Sequence, residues 1–512
     1  MTIPVGIDLG TSYSCVAAVI DGEAQVIADS EGRRVQPSVV AFGYDGAPVV
    51  GWRAQRQLMY APESTVNSPK RLMGRRFRSA EVKRLALNVG YELAESASGE
   101  VLIRVREREY TVAQISGFVL DHMRNIAEKA LGQKVSQAVI TVPAYFNDHQ
   151  RQATREAAKH AGIECLRIIN EPTAAALAYG VGQGLRQNVA VYDLGGGTFD
   201  ISVLRLEDDV YEVQGTAGDT FLGGDDYDAA VARHFLKGFQ RRSKVNVRDN
   251  RVTWLRLLEA AEQAKIALGE NNEVEVNVPG VARSSEGRDV VLSARIDRLT
   301  YAQVVMPLVQ RTFQVCDESL KLAGLSTAQI DNVLLVGGMS QLFLVQEAVE
   351  HYFQRPVSLD HNPNEVVAQG AAIQAHSLGG VQAPMADGST PAAGPLLLDV
   401  TPRSLGVGTV GGYVETIIPR NSAIPTEQTK YFHPAFDSQT EVRVTVYQGE
   451  SRKVDQNESL GEFVLDGLRQ APRHEVRVEI TFEIDADGIV QVIAKDPESG
   501  VKRDMRIELD RR

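Results

Sequence analysis

Val5-Gly6-Ile7-Asp8-Leu9-Gly10-Thr11-Ser12 and Val191-Tyr192-Asp193-Leu194-Gly195-Gly196-Gly197-Thr198 follow one plan: an apolar run ends in a carboxylate, small residues follow, and a hydroxyl comes next. Each is succeeded by a strand-forming run, Cys15 to Ile20 and Phe199 to Leu204. Small residues let backbone N–H groups approach an anion, with the hydroxyl in hydrogen-bond reach. One Asp-Leu-Gly reads as a strand, a turn and a strand, with Asp an ordinary turn residue. Its recurrence in a matching context predicts a duplicated α/β fold whose hairpins hold phosphate and metal. A third glycine pair, Gly337-Gly338, ends the run Val333-Leu334-Leu335-Val336 and precedes Met339-Ser340. That position fits a ligand at strand carboxyl ends, so the three turns are expected to converge on one nucleotide.

The chain has 512 residues, enough for about three domains, with 43% hydrophobic and 23% charged residues. A net charge of −12 argues against nucleic acid as partner, because sequence-independent binding needs clustered Lys and Arg. The basic cluster from Lys70-Arg71 to Arg78 is local and needs another explanation. Three cysteines, Cys15, Cys165 and Cys316, are far apart and lack metal-ligand spacing, which excludes a disulfide framework or zinc site and fits a reducing cytoplasm. Residues 1 to 20 lack the charged start and cleavage site of a secretory signal, and no apolar run approaches ~18 residues, so no membrane partner is expected.

Strand and helix signals alternate to about residue 378, the pattern of α/β layers. Thr111 reads as an N-cap, Ile115, Phe118, Val119, Met123, Ile126 and Ala130 recur at helical spacing, and Gly132 is a stop. After the strand Ala138 to Val142, Pro143 breaks the chain, and Asn147 with Gln150 reads as a capping box opening a helix to His160. Residues 379 to 395 are rich in Pro, Gly, Ala and Ser without apolar period, as a linker requires. Beyond them the period becomes two (Val442, Val444, Val446; Val476, Val478, Ile480; Ile489 to Val492), with turns such as Asp485-Ala486-Asp487-Gly488. An all-β unit, a sandwich, is expected there, suited to binding because it holds no nucleophile–base pair.

Gly6-Ile7-Asp8-Leu9-Gly10-Thr11, Thr141-Val142-Pro143-Ala144-Tyr145-Phe146-Asn147-Asp148, Ile169-Asn170-Glu171-Pro172-Thr173-Ala174-Ala175-Ala176, Asp193 to Asp200 and Leu396-Leu397-Leu398-Asp399-Val400-Thr401-Pro402 together resemble the seventy-kilodalton heat-shock chaperones of the DnaK type. The resemblance runs from residue 3 to about 509. It implies an α/β actin-like, two-lobed ATPase domain with a duplicated ribonuclease-H-like core over 1–378, an interdomain linker over 379–399, and a β-sandwich peptide-binding domain over 400–512. Relatives continue into a helical lid; the sequence stops at Arg512 without one, whether by truncation or by nature, and in both cases fast peptide exchange is expected. The implied function is an ATP-dependent chaperone that binds and releases extended hydrophobic segments of unfolded proteins while converting ATP and water to ADP and phosphate.

By the same resemblance, Asp8, Glu171 and Asp193 hold Mg2+ through its water shell, and Asp200 with Thr198 takes K+. Lys70 approaches the γ-phosphate and attacking water; Gly10, Thr11, Ser12, Gly195, Gly196, Gly197 and Thr198 cradle phosphates. Glu262 and Lys265 hold the ribose, with Ile266, Gly337, Gly338, Met339 and Gln341 on the adenine side. Pro143 and Arg151 match a nucleotide-state switch, and Leu396, Leu397, Leu398 and Asp399 a linker that docks when ATP is bound. Leu405, Val407, Phe432, Val442, Val444, Val446, Val478 and Ile480 match a peptide channel under an arch of Val410 and Ala435; each also reads as sandwich core. Arg167 and Asn170 match the surface for a J-domain co-chaperone, and a nucleotide exchange factor is the other implied partner.

The sequence departs from the family at the base. Gln341 stands where an adenine-stacking arginine is usual, Gly269 replaces a serine, and Asn364 an aspartate. Weaker adenine affinity and faster nucleotide release are expected. Two other readings share the duplicated loops: a small-molecule kinase of the actin-like superfamily and a polymerising actin-like protein. Neither has a role for residues 396 to 512.

Overall fold

The Asp-Leu-Gly hairpins are the centres of two sheets built to the same plan. The structure, a computed structural model, describes residues 3–243, 251–283, 289–358, 360–379 and 394–506. In the first lobe, Val5–Asp8 pairs antiparallel with Tyr13–Ile20, which pairs antiparallel with Glu23–Val26; Gln137–Val142 and then Glu164–Asn170 add in parallel on the other side. In the second lobe, Arg186–Leu194, Phe199–Glu207 and Val210–Asp219 form the same antiparallel meander, and Asn332–Val336 and then Val357–Ser358 add in parallel. The repeated carboxylates therefore occupy equivalent strand ends, as the doubled sequence predicts.

Alanine sets the packing between the lobes. Helices Glu171–Gly180 and Val366–Leu378 cross through Ala174, Ala175, Ala176, Ala371 and Ala375, all fully buried, so small side chains bring backbone close to backbone where larger ones would hold the lobes apart. The expected caps are present. Val112–Leu131 starts at a reciprocal Thr111/Gln114 capping box and ends at Gly132, and Asp148–His160 starts at the Asn147/Gln150 box.

The β unit consists of two four-stranded sheets, one containing Leu405–Thr409 and Glu441–Gln448, the other Val478–Ile484 and Val490–Lys495. Its core takes Leu405, Val407, Val444, Val446, Val478 and Ile480, with Phe432 and Val442 packed partly against it. Alternation predicted these inward positions. Val410 is 80% exposed in the turn after Leu405–Thr409, and Ala435 is half-buried.

Most of the predicted linker, residues 380 to 393, lies outside the described residues. Its end is a strand. Leu396–Val400 pairs in parallel with Val210–Glu212 as a further strand of the second lobe's sheet, and Ala423–Ile424 of the β unit pairs onto it in turn. Leu397 is buried and Leu396 exposed, as pleating requires of neighbours on one strand.

Candidate functional site

A cavity of about 390 Å³ opens between the lobes, and three glycine turns border it. The two hairpin loops meet face to face: a Cβ built on Gly196 would lie 1.9 Å from Ser12 Oγ, so a larger residue there would push the Ser12 side chain aside. Gly337 has φ +81°, and a Cβ there would lie 2.4 Å from the Leu194 carbonyl oxygen, which brings the third turn onto the second hairpin. Asp8, Gly10, Thr11, Ser12, Lys70, Glu171, Asp193, Gly195, Gly196 and Thr198 line the cavity, and so do Glu262, Lys265, Ile266, Gly337, Gly338, Met339, Gln341 and Asn364.

Of the residues named from sequence for nucleotide or metal, Gly197 and Asp200 stand behind the wall. The Gly197 carbonyl accepts from Arg71 Nη2 at 2.9 Å, and buried Asp200 accepts from the Tyr145 amide at 3.0 Å. Lys265 bonds Asp228 at 2.8 Å. Sequence reasoning passed over Arg71, which also pairs with Asp226 and so ties the first lobe to the second. The unexplained basic cluster was its signal. Tyr13, Trp52, Asp225 and Asp228 also line the cavity and carried none.

Negative charge dominates the inner end. Buried Glu171, Asp193 and Asp200 and half-buried Asp8 gather around one lysine, Lys70, whose Nζ lies 2.5 Å from Glu171 Oε1. Burial, then Glu171, raises the Asp8 pKa to about 7 against a helping hydrogen bond from Thr141, and the same two causes raise Asp200 to about 8. Asp193 is likewise pushed well above the usual carboxylate range by burial and then by Glu171. One lysine cannot balance this set, so the cleft is built for a cation. Among the described residues no three His, Cys, Asp or Glu side chains are placed to ligate one ion directly. The donor set fits a hard divalent ion that keeps its water shell.

From this cluster a chain of bonds leads to the β unit. The Lys70 ammonium sits 5.6 Å from the Phe146 ring centroid, in the turn after Pro143. Buried Arg151 donates to the Ala144 and Phe146 carbonyls of that turn at 3.4 and 3.3 Å, to Asn170 Oδ1 at 2.7 Å, and to the Asp487 carbonyl at 3.3 Å. Asn170, adjacent to Glu171, donates to Asp399 at 2.6 Å, where Thr173 also donates at 3.2 Å. Asn170 is therefore buried beneath the linker strand in this arrangement, and Arg167 is half-buried with its guanidinium 3.4 Å from the Ala486 carbonyl. The turn Asp485-Ala486-Asp487-Gly488 docks on the first lobe: Asp487 pairs with Arg155 and accepts from the Ile168 amide at 3.2 Å. On the second lobe Arg420 pairs with Glu318.

His149 belongs to this interface. It is buried at the start of its helix, and Nε2 donates to the Leu460 carbonyl at 3.0 Å. Burial lowers its pKa from 6.5; nearby Glu458 opposes this and Arg76 adds to it. The docked form thus binds fewer protons than one in which the ring regains water. Docking is then fully favoured above about pH 6.5, the ordinary imidazole value, and weakens as pH falls below it. The docked fraction, followed by small-angle scattering as pH falls, is expected to drop in the native chain, and His149→Gln is expected to flatten the profile.

Among the described residues no helix is long and apolar enough to cross a membrane. A family model described as Hsp70 protein matches residues 4–512. Members of that family are, in general, ATPases that act as ATP-dependent chaperones on unfolded polypeptide together with co-chaperones, and they bind nucleotide with Mg2+. A match over nearly the entire length leaves one conclusion: the chain belongs to the Hsp70 family.

Proposed function

We propose that ATP bound between the lobes decides whether the β unit holds or releases an extended hydrophobic peptide, with hydrolysis resetting the choice. One observation carries this reading. The half-buried linker carboxylate of Asp399 accepts a bond from buried Asn170, whose neighbour Glu171 bonds Lys70 in the cleft. A change of charge at the phosphates has a path of a few bonds to the strand that fastens the β unit to the second lobe. The kinase and filament readings leave that strand without a purpose.

In this reading residues 1–378 are the ATPase domain, residues 400–512 hold peptide, and Leu396 to Asp399 couple them. Phosphoryl transfer to water asks for positioning and charge stabilisation. Lys70 Nζ is the mobile donor for the γ-phosphate and attacking water. Amides and hydroxyls of Thr11, Ser12, Gly195, Gly196 and Thr198 cradle the phosphates. Asp8, Glu171 and Asp193 would hold Mg2+ through water, and when bound that ion neutralises charge across the β- and γ-phosphates. Thr198 and Asp200, the latter behind the cavity wall, would hold K+. Leu405, Val407, Phe432, Val442, Val444, Val446, Val478 and Ile480 would line the peptide channel, and exposed Val410 with Ala435 would arch over the peptide backbone. Pro143 and Arg151 relay the state, while Arg167 and Asn170 meet a J-domain partner once the linker strand lifts; an exchange factor would open the lobes.

The test is peptide-stimulated ATPase activity together with peptide affinity measured with and without ATP. Stimulation and an ATP-induced loss of affinity are expected; a peptide held equally tightly in both conditions overturns the proposal.

At the base, Gln341 and 56%-exposed Ile266 offer no cationic face to a purine. Gln341→Arg is expected to slow MgADP dissociation about tenfold, since a stacked guanidinium is worth on the order of 1 kcal/mol or more. Stopped-flow release of ADP reads this directly, and an unchanged rate defeats it.

A further inference from the structure

The first lobe places two aromatic rings in the cleft wall that no role above uses. Tyr13 follows the Thr11-Ser12 turn directly, and Trp52 opens the short helix Trp52–Gln55; both border the cavity opposite the helix that carries Glu262, Lys265 and Ile266. Their ring centroids are 6.0 Å apart with planes at 46°, so they form one tilted surface. The indole is fixed: Nε1 donates to the Val35 carbonyl at 3.1 Å, and the Arg33 guanidinium, itself held by Asp29, lies 5.9 Å from the ring centroid. Trp52 is half-buried and Tyr13 is 36% exposed, which leaves aromatic surface facing the cavity.

The charges that reach the Tyr13 phenol locate this surface within the cleft. Beyond burial, they are Glu262, Lys265 and Asp228. Tyr13 therefore lies toward the part of the cavity that carries Glu262, Lys265 and Asp228, and Trp52 stands beside it. On the opposite wall, Ile266 and Gln341 supply neither an aromatic ring nor a guanidinium. The flat surfaces available to a nucleoside lie on the first lobe.

We propose that Tyr13 and Trp52 form an aromatic jaw that closes over the nucleoside of bound ATP or ADP against Glu262 and Lys265, and that this jaw sets how fast nucleotide leaves. The inference rests on the nucleotide reading above and adds a specificity-determining residue pair to it. A fixed aromatic face gains contact with a sugar or base without needing a hydrogen-bond match and loses little side-chain freedom on binding. Retention by such a jaw depends on its ring area, which a truncation removes and a ring-for-ring exchange keeps.

The chain has two tryptophans, and Trp254 bridges the lobes through a 3.1 Å bond to Asn88, so it would report lobe closure by itself. In a Trp254→Phe background, Trp52 is the remaining indole. Titration with MgADP is expected to change its emission and to reduce its quenching by iodide. In stopped flow, Trp52→Ala is expected to release MgADP about tenfold faster than the native chain, and Trp52→Phe within about twofold of it. Unaltered emission and quenching at saturating MgADP, or equal release from the Ala, Phe and native proteins, overturns the jaw. Should Trp52→Ala fail to fold, the emission and quenching measurement decides alone. Failure of the native chain to bind MgADP by calorimetry sinks the nucleotide reading instead, so the two failures are told apart.

Discussion

Lys70→Ala is expected to lower ATP turnover by about 10²- to 10³-fold while MgADP still binds, the loss typical of removing one donor aimed at developing charge. The buried setting explains the size. Lys70 is paired at 2.5 Å with Glu171 in a group of carboxylates that includes buried Asp193 and Asp200 and half-buried Asp8. The same truncation leaves Glu171 buried without its partner, which costs about 3–5 kcal/mol and lowers Tm. The double variant Lys70→Ala/Glu171→Gln separates the two effects: thermal stability is expected to return toward that of the native chain while turnover stays low. Recovery of turnover together with Tm would mean that Lys70 only holds the fold. Single-turnover hydrolysis alongside calorimetric MgADP binding gives the measurement.

Leu397→Ala carries the second large effect, on coupling. Leu397 is 7% exposed, packed in the cluster of Tyr211, Val213 and Leu206, whereas Leu396 beside it is 53% exposed. Truncating a buried leucine costs about 2–5 kcal/mol, which shifts the docking equilibrium at least about 30-fold toward the free linker. With the strand released, ATP is expected to lose its power to weaken peptide binding, while MgADP affinity stays native. Leu396→Ala serves as the control and is expected to couple normally. If the two variants behave alike, the effect belongs to linker composition and not to docking of this strand.

These two residues mark what could be read from the chain. Lys70 stood in a basic run and as a single residue read as a solvated lysine; only the resemblance lifted it out. Leu396 to Leu398 were legible as apolar residues in need of cover, yet their alternation over so short a stretch could not say which one turns inward. That depends on the edge of Val210–Asp219 waiting to receive them. Tyr13 and Trp52 had no local pattern at all, since they meet from separate elements. Asp487 read as turn chemistry, which it is, but its bonds to Arg155 and Ile168 reach the first lobe, far away in sequence.

The sequence by itself determined the two-lobed plan, because a repeated strand–carboxylate–glycine phrase admits the same hairpin twice, and it determined the sandwich, because period-two valines bury one face. Caps at Thr111 and Asn147 were equally local. Only the tertiary structure decided which carboxylates share one buried volume, which arginine ties the lobes, and where the linker strand seats. Those outcomes depend on distances between segments remote in sequence, and such distances are fixed when sheets and helices pack, not by the residues flanking each side chain.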